Sequence, residues 1–140
     1  MDYKIQLELR NQMSQWLNKS PWQIWFTGTF TPEQFYRDTI KTKGAFNKFI
    51  EKLSVDFDKQ EIEYFLAIER FAFGDECHCH ALIRGLEGLT YRQIGETWRD
   101  LYGREKVEGY DPTRGANYYL TKYITKELCD WDLKIKNRKS

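Results

Sequence analysis

Residues 68–80 read IERFAFGDECHCH, and this stretch decides the fold. Apolar and polar residues alternate on both sides of Gly74-Asp75. That pair suits a two-residue hairpin turn, because glycine accepts positive φ at the first central position. The pattern predicts two antiparallel strands, residues 62–73 and 77–84, joined by a tight turn.

The predicted hairpin brings one carboxylate and two imidazoles to the same face. With a two-residue loop, Glu69 lies opposite His80, and His78 lies two residues along the same face. The intervening Cys77 and Cys79 point to the other face. Two imidazoles and one carboxylate leave coordination positions open for water or substrate, as a catalytic metal site requires. A three-residue loop would turn Glu69 away, and partly buried histidines bonded to backbone carbonyls are the structural alternative.

A second candidate site lies on the last long helix, predicted over residues 111–128. One apolar stripe at helical spacing marks its core face: Leu120, Ile124 and Leu128. Two phenols and two ammonium groups share the neighbouring arc of about 100°: Tyr119, Lys122, Tyr123 and Lys126. Tyrosines that expose only a hydroxyl beside the core, with lysines solvating the helix, are the structural alternative. A phenol with a pKa near 10 attacks a phosphodiester at neutral pH only if a metal ion and nearby cations assist it, which would link the two sites.

The remaining segments predict how the sheet is completed. Apolar residues at helical spacing indicate helices over residues 3–18, from residues 31–34 to about 53, and over 90–102 with Tyr91, Ile94, Trp98 and Leu101 inward. Alternation indicates further strands over residues 22–30, 105–110 and 131–135. This order predicts one α+β domain, with a central, mainly antiparallel sheet of about five strands and helices packed on it.

Composition limits the class of protein. The 140 residues are 41% hydrophobic, which suits one globular domain. The net charge of +1 predicts no global basic field, although residues 112–140 carry seven basic and three acidic side chains. Three cysteines, no signal peptide and no run of about 18 apolar residues predict a reduced, cytoplasmic protein outside the membrane.

Three segments in this order resemble the HUH endonucleases, especially the rolling-circle replication initiator (Rep) proteins of plasmids and viruses. They are the early strand WFTGTF at residues 25–30, Glu69 with His78-Cys79-His80, and the YLTKY segment at residues 119–123. The resemblance covers about residues 22–126. It implies an HUH/RRM-like fold related to the ferredoxin-like fold, and a single HUH endonuclease domain over residues 1–140. Residues 1–20 would then be an N-terminal helical extension and residues 134–140 a basic tail.

The resemblance also implies the chemistry. Glu69, His78 and His80 would bind Mn²⁺ or Mg²⁺, and Tyr119 would attack single-stranded DNA. The product would be a covalent 5′-phosphotyrosine bond and a free 3′-hydroxyl that primes synthesis. Lys122 would place the metal or phosphate rather than act as a base, because an ammonium must first lose its proton. Tyr123 matches the second tyrosine of some initiators, and the sequence leaves its role open.

The implied substrate is single-stranded DNA at an origin or hairpin. Its phosphates would be neutralised by four basic side chains: Arg114, Lys126, Lys134 and Lys136. No phosphate-binding loop of a helicase occurs in the sequence, so a host helicase and polymerase are expected partners. Two residues depart from the family pattern, because Cys79 separates the histidines and Gly28 stands where a larger apolar residue is usual.

Three alternatives stay open from the sequence. A small HUH single-tyrosine transposase has a similar size, although its helix commonly carries Gln where Lys122 stands here. A zinc hydrolase would use the same two histidines and carboxylate. A non-catalytic nucleic-acid-binding module with a structural metal would need no nucleophile. The sequence also leaves open whether two copies form a homodimer.

Overall fold

Five antiparallel strands and three helices form the part of the chain that a computed structural model describes, which is residues 3–31, 38–70, 77–115 and 128–134. In chain order they are α1 (Tyr3–Leu17), β1 (Ile24–Gly28), α2 (Thr39–Phe57), β2 (Glu63–Arg70), β3 (Cys77–Arg84), α3 (Tyr91–Leu101), β4 (Glu105–Gly109) and β5 (Leu128–Lys134). The strands lie in the order β4-β1-β3-β2-β5, and each neighbouring pair is antiparallel. The predicted α+β class and the antiparallel sheet are confirmed.

The two faces of the sheet differ because successive side chains along a strand point to opposite sides. One face, here called the helix-packed face, lies against α2 and α3 and buries a large aromatic core. Phe26, Phe46, Phe49 and Trp98 are fully buried there. Their rings meet edge-on or tilted at centroid distances near 5 Å, as in Phe26 with Trp98 at 5.2 Å. Each such ring contributes roughly 1.5–3 kcal/mol by leaving water.

The opposite face, here called the histidine face, carries Thr27, Glu69, His78 and His80 at one end of the strands. At the other end α1 covers it through Leu17 and the partly buried Met13, which cluster with Trp22, Trp25, Phe65 and Leu82. A compact polar site therefore shares its face with an apolar patch under α1.

The second helix begins later than predicted. Asp38 caps α2, since its carboxylate accepts a hydrogen bond from the Ile40 amide at 2.7 Å. Thr31 lies outside the helix, and residues 32–37, which hold the rest of the expected start, are outside the described residues. A capping aspartate competed with the Thr-Pro signal for the same role, and both are good helix starts by residue type. The predicted apolar face is confirmed from Phe46 to Leu53.

The third helix matches its prediction except at its first residue. Thr90 and Gln93 form the reciprocal hydrogen bonds of a capping box. Ile94 and Trp98 are buried, but Tyr91 is 51% exposed, so its predicted inward position is wrong. A first-turn residue at the rim of the sheet keeps contact with water because the turn extends past the core.

The last predicted helix is described only at its start. Asp111 stabilises the turn at residues 111–114, since its carboxylate accepts hydrogen bonds from the amide and hydroxyl of Thr113. Residues 116–127 are outside the described residues. Leu128 opens β5 and so cannot end a helix, which corrects the predicted boundary. None of the described helices is long and apolar enough to cross a membrane.

Candidate active site

The β2–β3 hairpin places the predicted metal ligands on one face, but in a register different from the predicted one. Glu69 pairs with His78, and His80 pairs with Ala67. The prediction had placed Glu69 opposite His80, so the partner is shifted by two residues. An even shift leaves every side chain on its original face. The shared face of Glu69, His78 and His80 is therefore confirmed, while the proposed cross-strand partner is wrong.

His80 is held at both ring nitrogens. Its Nε2 lies 3.0 Å from Glu69 Oε1, and its Nδ1 lies 3.3 Å from Thr27 Oγ1 on the neighbouring strand β1. The residue is only 3% exposed, so these contacts are made away from bulk water. Trp25 stacks along the imidazole, with ring centroids 6.0 Å apart and planes 7° from parallel. Ring position and orientation are thus set from two strands.

Thr27 completes this arrangement in a way that suits a metal ligand. Its hydroxyl can donate to Nδ1 while Nε2–H donates to Glu69, and it can accept from Nδ1–H when Nε2 is needed as a ligand. Histidines that bind metals usually have a hydrogen-bond partner at the other nitrogen, which orients the ring. Neither Thr27 nor Trp25 was predicted as part of the site. Their contact with His80 depends on the pairing of β1 with β3, two strands that lie far apart in the sequence.

His78 lies directly opposite Glu69 and is half-buried. Opposed side chains in an antiparallel pair have Cβ atoms about 5 Å apart. Within the described segments, however, no three His, Cys, Asp or Glu side chains are close enough to hold a metal ion as they stand. The structure therefore joins Glu69 to His80 and brings His78 to the same face without closing a three-ligand group.

The donor chemistry of this face fits a divalent ion. A carboxylate oxygen and imidazole nitrogens are ligands for Mn²⁺ and for Zn²⁺, and three protein ligands leave positions open for water or substrate. The Glu69 and His80 atoms that would bind such an ion already face each other at 3.0 Å. Mn²⁺ or Mg²⁺ at this site stays a prediction.

The cysteines are excluded from this site, as predicted. Cys77 and Cys79 are fully buried on the helix-packed face. Burial, with a smaller contribution from Cys77, raises the pKa of the Cys79 thiol well above its usual range. A thiol that resists deprotonation is a poor metal ligand, because the thiolate is the binding form.

Gly28 departs from the family pattern for a visible reason. A Cβ atom at this position would lie 2.6 Å from the Trp98 ring and 2.8 Å from the Phe26 ring. Trp98 is itself anchored, since its indole N–H donates to the Thr29 carbonyl at 2.9 Å. The indole occupies the space that a larger side chain would take.

Most other predicted site residues are outside the described residues, namely Tyr119, Lys122, Tyr123, Lys126 and Lys136. Arg114 and Lys134 are described and exposed. Arg114 follows the end of β4, and its Nε lies 3.5 Å from Asp111 Oδ2. Lys134 pairs with Tyr64, near the start of β2 and far along that strand from Glu69. Both basic residues lie at the opposite end of the sheet from His80, so the structure does not bring them to the candidate metal site.

The comparisons with known proteins agree with this architecture. A family model described as replication-associated protein ORF2 matches residues 23–128. The matched span runs from the residue before β1 to the start of β5 and includes Glu69, His78, His80 and Tyr119. No curated protein and no solved structure matches the chain. Because one family model covers most of the sequence, the chain belongs to the ORF2 family of replication-associated proteins.

Proposed function

We propose that this protein starts rolling-circle replication by nicking single-stranded DNA and holding the 5′ end on a tyrosine. One observation carries the proposal: in a chain of a replication-associated family, the His80 imidazole and the Glu69 carboxylate meet at 3.0 Å, with His78 on the same face. Structural histidines need no ionisable partner of this kind. A carboxylate and two imidazoles at the open end of a sheet suit a hydrolytic or transfer site better.

Each side chain has a distinct role in the proposed reaction. Glu69, His78 and His80 would hold Mn²⁺ or Mg²⁺, which when bound polarises the scissile phosphate. Thr27 and Trp25 would keep His80 in position. Nothing in these roles requires movement of the sheet, because the contacts that orient His80 come from adjacent strands.

Tyr119 supplies the nucleophile in this proposal. Its phenolic oxygen would form a bond to phosphorus as the bond to the 3′ oxygen breaks, and the phenolic proton would leave as the 3′ oxygen gains one. Lys122, one helical turn away in the predicted helix, would stabilise the charge on the phosphate. Tyr123 is the candidate for a second transfer. The energy of the broken phosphodiester is conserved, so another hydroxyl can reseal the strand.

The partners follow from this chemistry. Single-stranded DNA at an origin or an extruded hairpin is the proposed substrate, and a host helicase and polymerase would unwind and extend it. We place the reaction in the cytoplasm of the host cell.

The test uses the full chain with Mn²⁺ and a library of single-stranded oligonucleotides with randomised centres. We expect an adduct that survives SDS, and we expect EDTA or His80→Ala to abolish it. Tyr119→Phe should also abolish it, whereas Tyr118→Phe, which changes the neighbouring tyrosine, should not. An adduct of full yield in Tyr119→Phe would refute the assignment of the nucleophile.

Mass spectrometry locates the attachment. Trypsin separates residues 115–122, which contain Tyr119, from residues 123–126, which contain Tyr123. An oligonucleotide on the first peptide supports Tyr119, and one on the second reassigns the nucleophile to Tyr123. Scission without any adduct would support the zinc hydrolase, and binding without scission would support the non-catalytic module.

A further inference from the structure

We infer that a cleft between the end of α1 and the segment after β4 binds a nucleotide of single-stranded DNA outside the candidate metal site. This inference rests on the proposed function for the identity of its ligand. The cleft has a volume of about 700 Å³, within the range of small-ligand sites. Its walls are residues 18–22 on one side and residues 110 and 112–115 on the other.

The two walls are built to stay together. The Tyr110 hydroxyl reaches Asn18 Oδ1 at 3.5 Å, and the Tyr110 amide donates to the Gln23 carbonyl at 3.0 Å. Gly115 has φ of +73°, and a Cβ there would lie 3.2 Å from Asn18 Oδ1. A glycine therefore permits the close approach of the second wall to the end of α1.

The lining has the chemistry of a nucleotide site. It carries two exposed cations, Lys19 and Arg114, and no acidic side chain among the described residues that form it. Tyr110 is partly exposed and adds an aromatic surface, which is the usual platform for an unpaired base, whereas Trp22 borders the cleft but is buried. Asp111 is outside the lining but lies 3.5 Å from Arg114, so part of the charge of Arg114 is already balanced. Lys19 is then the stronger phosphate contact.

The position of the cleft suits a strand that continues toward the reaction centre. The path from Trp22 to Thr27 along β1 is about 16 Å, so the cleft lies that far along the sheet from the site at His80. The second wall ends at Gly115, shortly before Tyr119 in the sequence. Residues 18–22 precede the span matched by the family model, which begins at residue 23. We assign the cleft to this chain on its own residues.

Binding is measured on the full chain in the Tyr119→Phe background with EDTA, which prevents chemistry. The probe is a fluorescein-labelled oligothymidylate, followed by anisotropy over a series of NaCl concentrations. Each phosphate contact adds about 0.7 to the slope of log K against log salt for a single strand. We expect Lys19→Ala/Arg114→Ala to lower that slope by about 0.7 to 1.4.

The matched control is Lys52→Ala/Arg92→Ala, which also removes one lysine and one arginine. Both side chains reach solvent, and each pairs with a carboxylate one helical turn away. The control should leave the slope unchanged. Equal losses in both double variants would mean that only total charge matters, and this would overturn the proposal.

Tyr110 tests the stacking part separately. Tyr110→Phe should bind as the parent does, and Tyr110→Leu should lose roughly 5- to 150-fold in affinity, the range for one stacked base. Equal affinity of the two variants would overturn this contact. The cleft and the proposed nicking activity fail independently. Adduct formation with an unchanged salt slope would refute the cleft alone, and a lowered slope without an adduct would refute the nickase alone.

Discussion

Thr27→Val tests whether the second nitrogen of His80 matters to metal binding. The change replaces a hydroxyl by a methyl group of similar size and removes the 3.3 Å contact to Nδ1. Without metal, His80 can keep its Nε2–H bond to Glu69. With metal, Nε2 is used as a ligand and Nδ1 carries the proton, so the missing acceptor at residue 27 weakens the bound state selectively.

The size of the effect follows from the geometry. Removing a hydrogen bond to a metal-binding histidine typically costs 10- to 100-fold in metal affinity, or about 1.4 to 2.7 kcal/mol. The contact between Thr27 and His80 is slightly longer than the usual range for N–H···O bonds, which ends near about 3.2 Å. We therefore expect the lower end of that range, with the Mn²⁺ dissociation constant raised about tenfold.

Titration of free Mn²⁺ by electron paramagnetic resonance measures this constant without any DNA. Thr27→Ser retains the hydroxyl and should bind close to the wild type. Thr29→Val is the matched control, because the Thr29 hydroxyl donates to the Arg104 carbonyl and not to His80. Wild-type affinity in Thr27→Val would refute the role of this hydroxyl. Equal affinity of the wild type and His80→Ala would refute the metal site itself.

Three further predictions concern stability. Gly28→Ala should lower the free energy of unfolding by about 1–3 kcal/mol in urea titrations, because its Cβ would overlap the anchored Trp98 ring; an unchanged midpoint would contradict this. Burial first, then the charge and hydrogen bond of Asp132, raise the pKa of Tyr64 from 10.0 to about 12. Since the folded pKa exceeds the unfolded one, this stabilisation is present below pH 10 and is lost as the pH rises toward 12, and Tyr64→Phe should flatten that decline in thermal melts. Thr90→Ala removes the N-cap of α3 and should cost about 1 kcal/mol, whereas Thr90→Ser should cost less; equal losses would argue against the cap.

The sequence predicts the face of each strand residue better than its partner. Alternation of apolar and polar residues has a period of two, so it assigns Cys79 to the core and His80 to the opposite side whatever the loop does. A register shifted by two residues produces the same alternation. The pairing of Glu69 with His78 therefore had no local signal that could separate it from the predicted pairing with His80.

Contacts between distant strands were the other gap. Thr27 and Trp25 contact His80 because β1 lies beside β3, and no residue pattern near position 27 announces that neighbour. The helix boundaries failed for a different reason. At α2 the choice lay between Asp38 and the signal at residues 31–34, and side-chain type alone does not rank two adequate caps.

An even number of residues between Arg70 and Cys77 is the property on which the site depends. Six residues separate them, so Glu69 and both histidines share a face. An odd number would exchange the faces of β3 relative to β2, placing His78 and His80 among the phenylalanines and the cysteines beside Glu69. Two imidazoles in that core would lack the Glu69 and Thr27 contacts, and buried polar groups without partners cost about 1–3 kcal/mol each. The apolar core therefore selects the same parity that the polar site needs, because the residues that stabilise the fold and those proposed to act on DNA alternate along one strand.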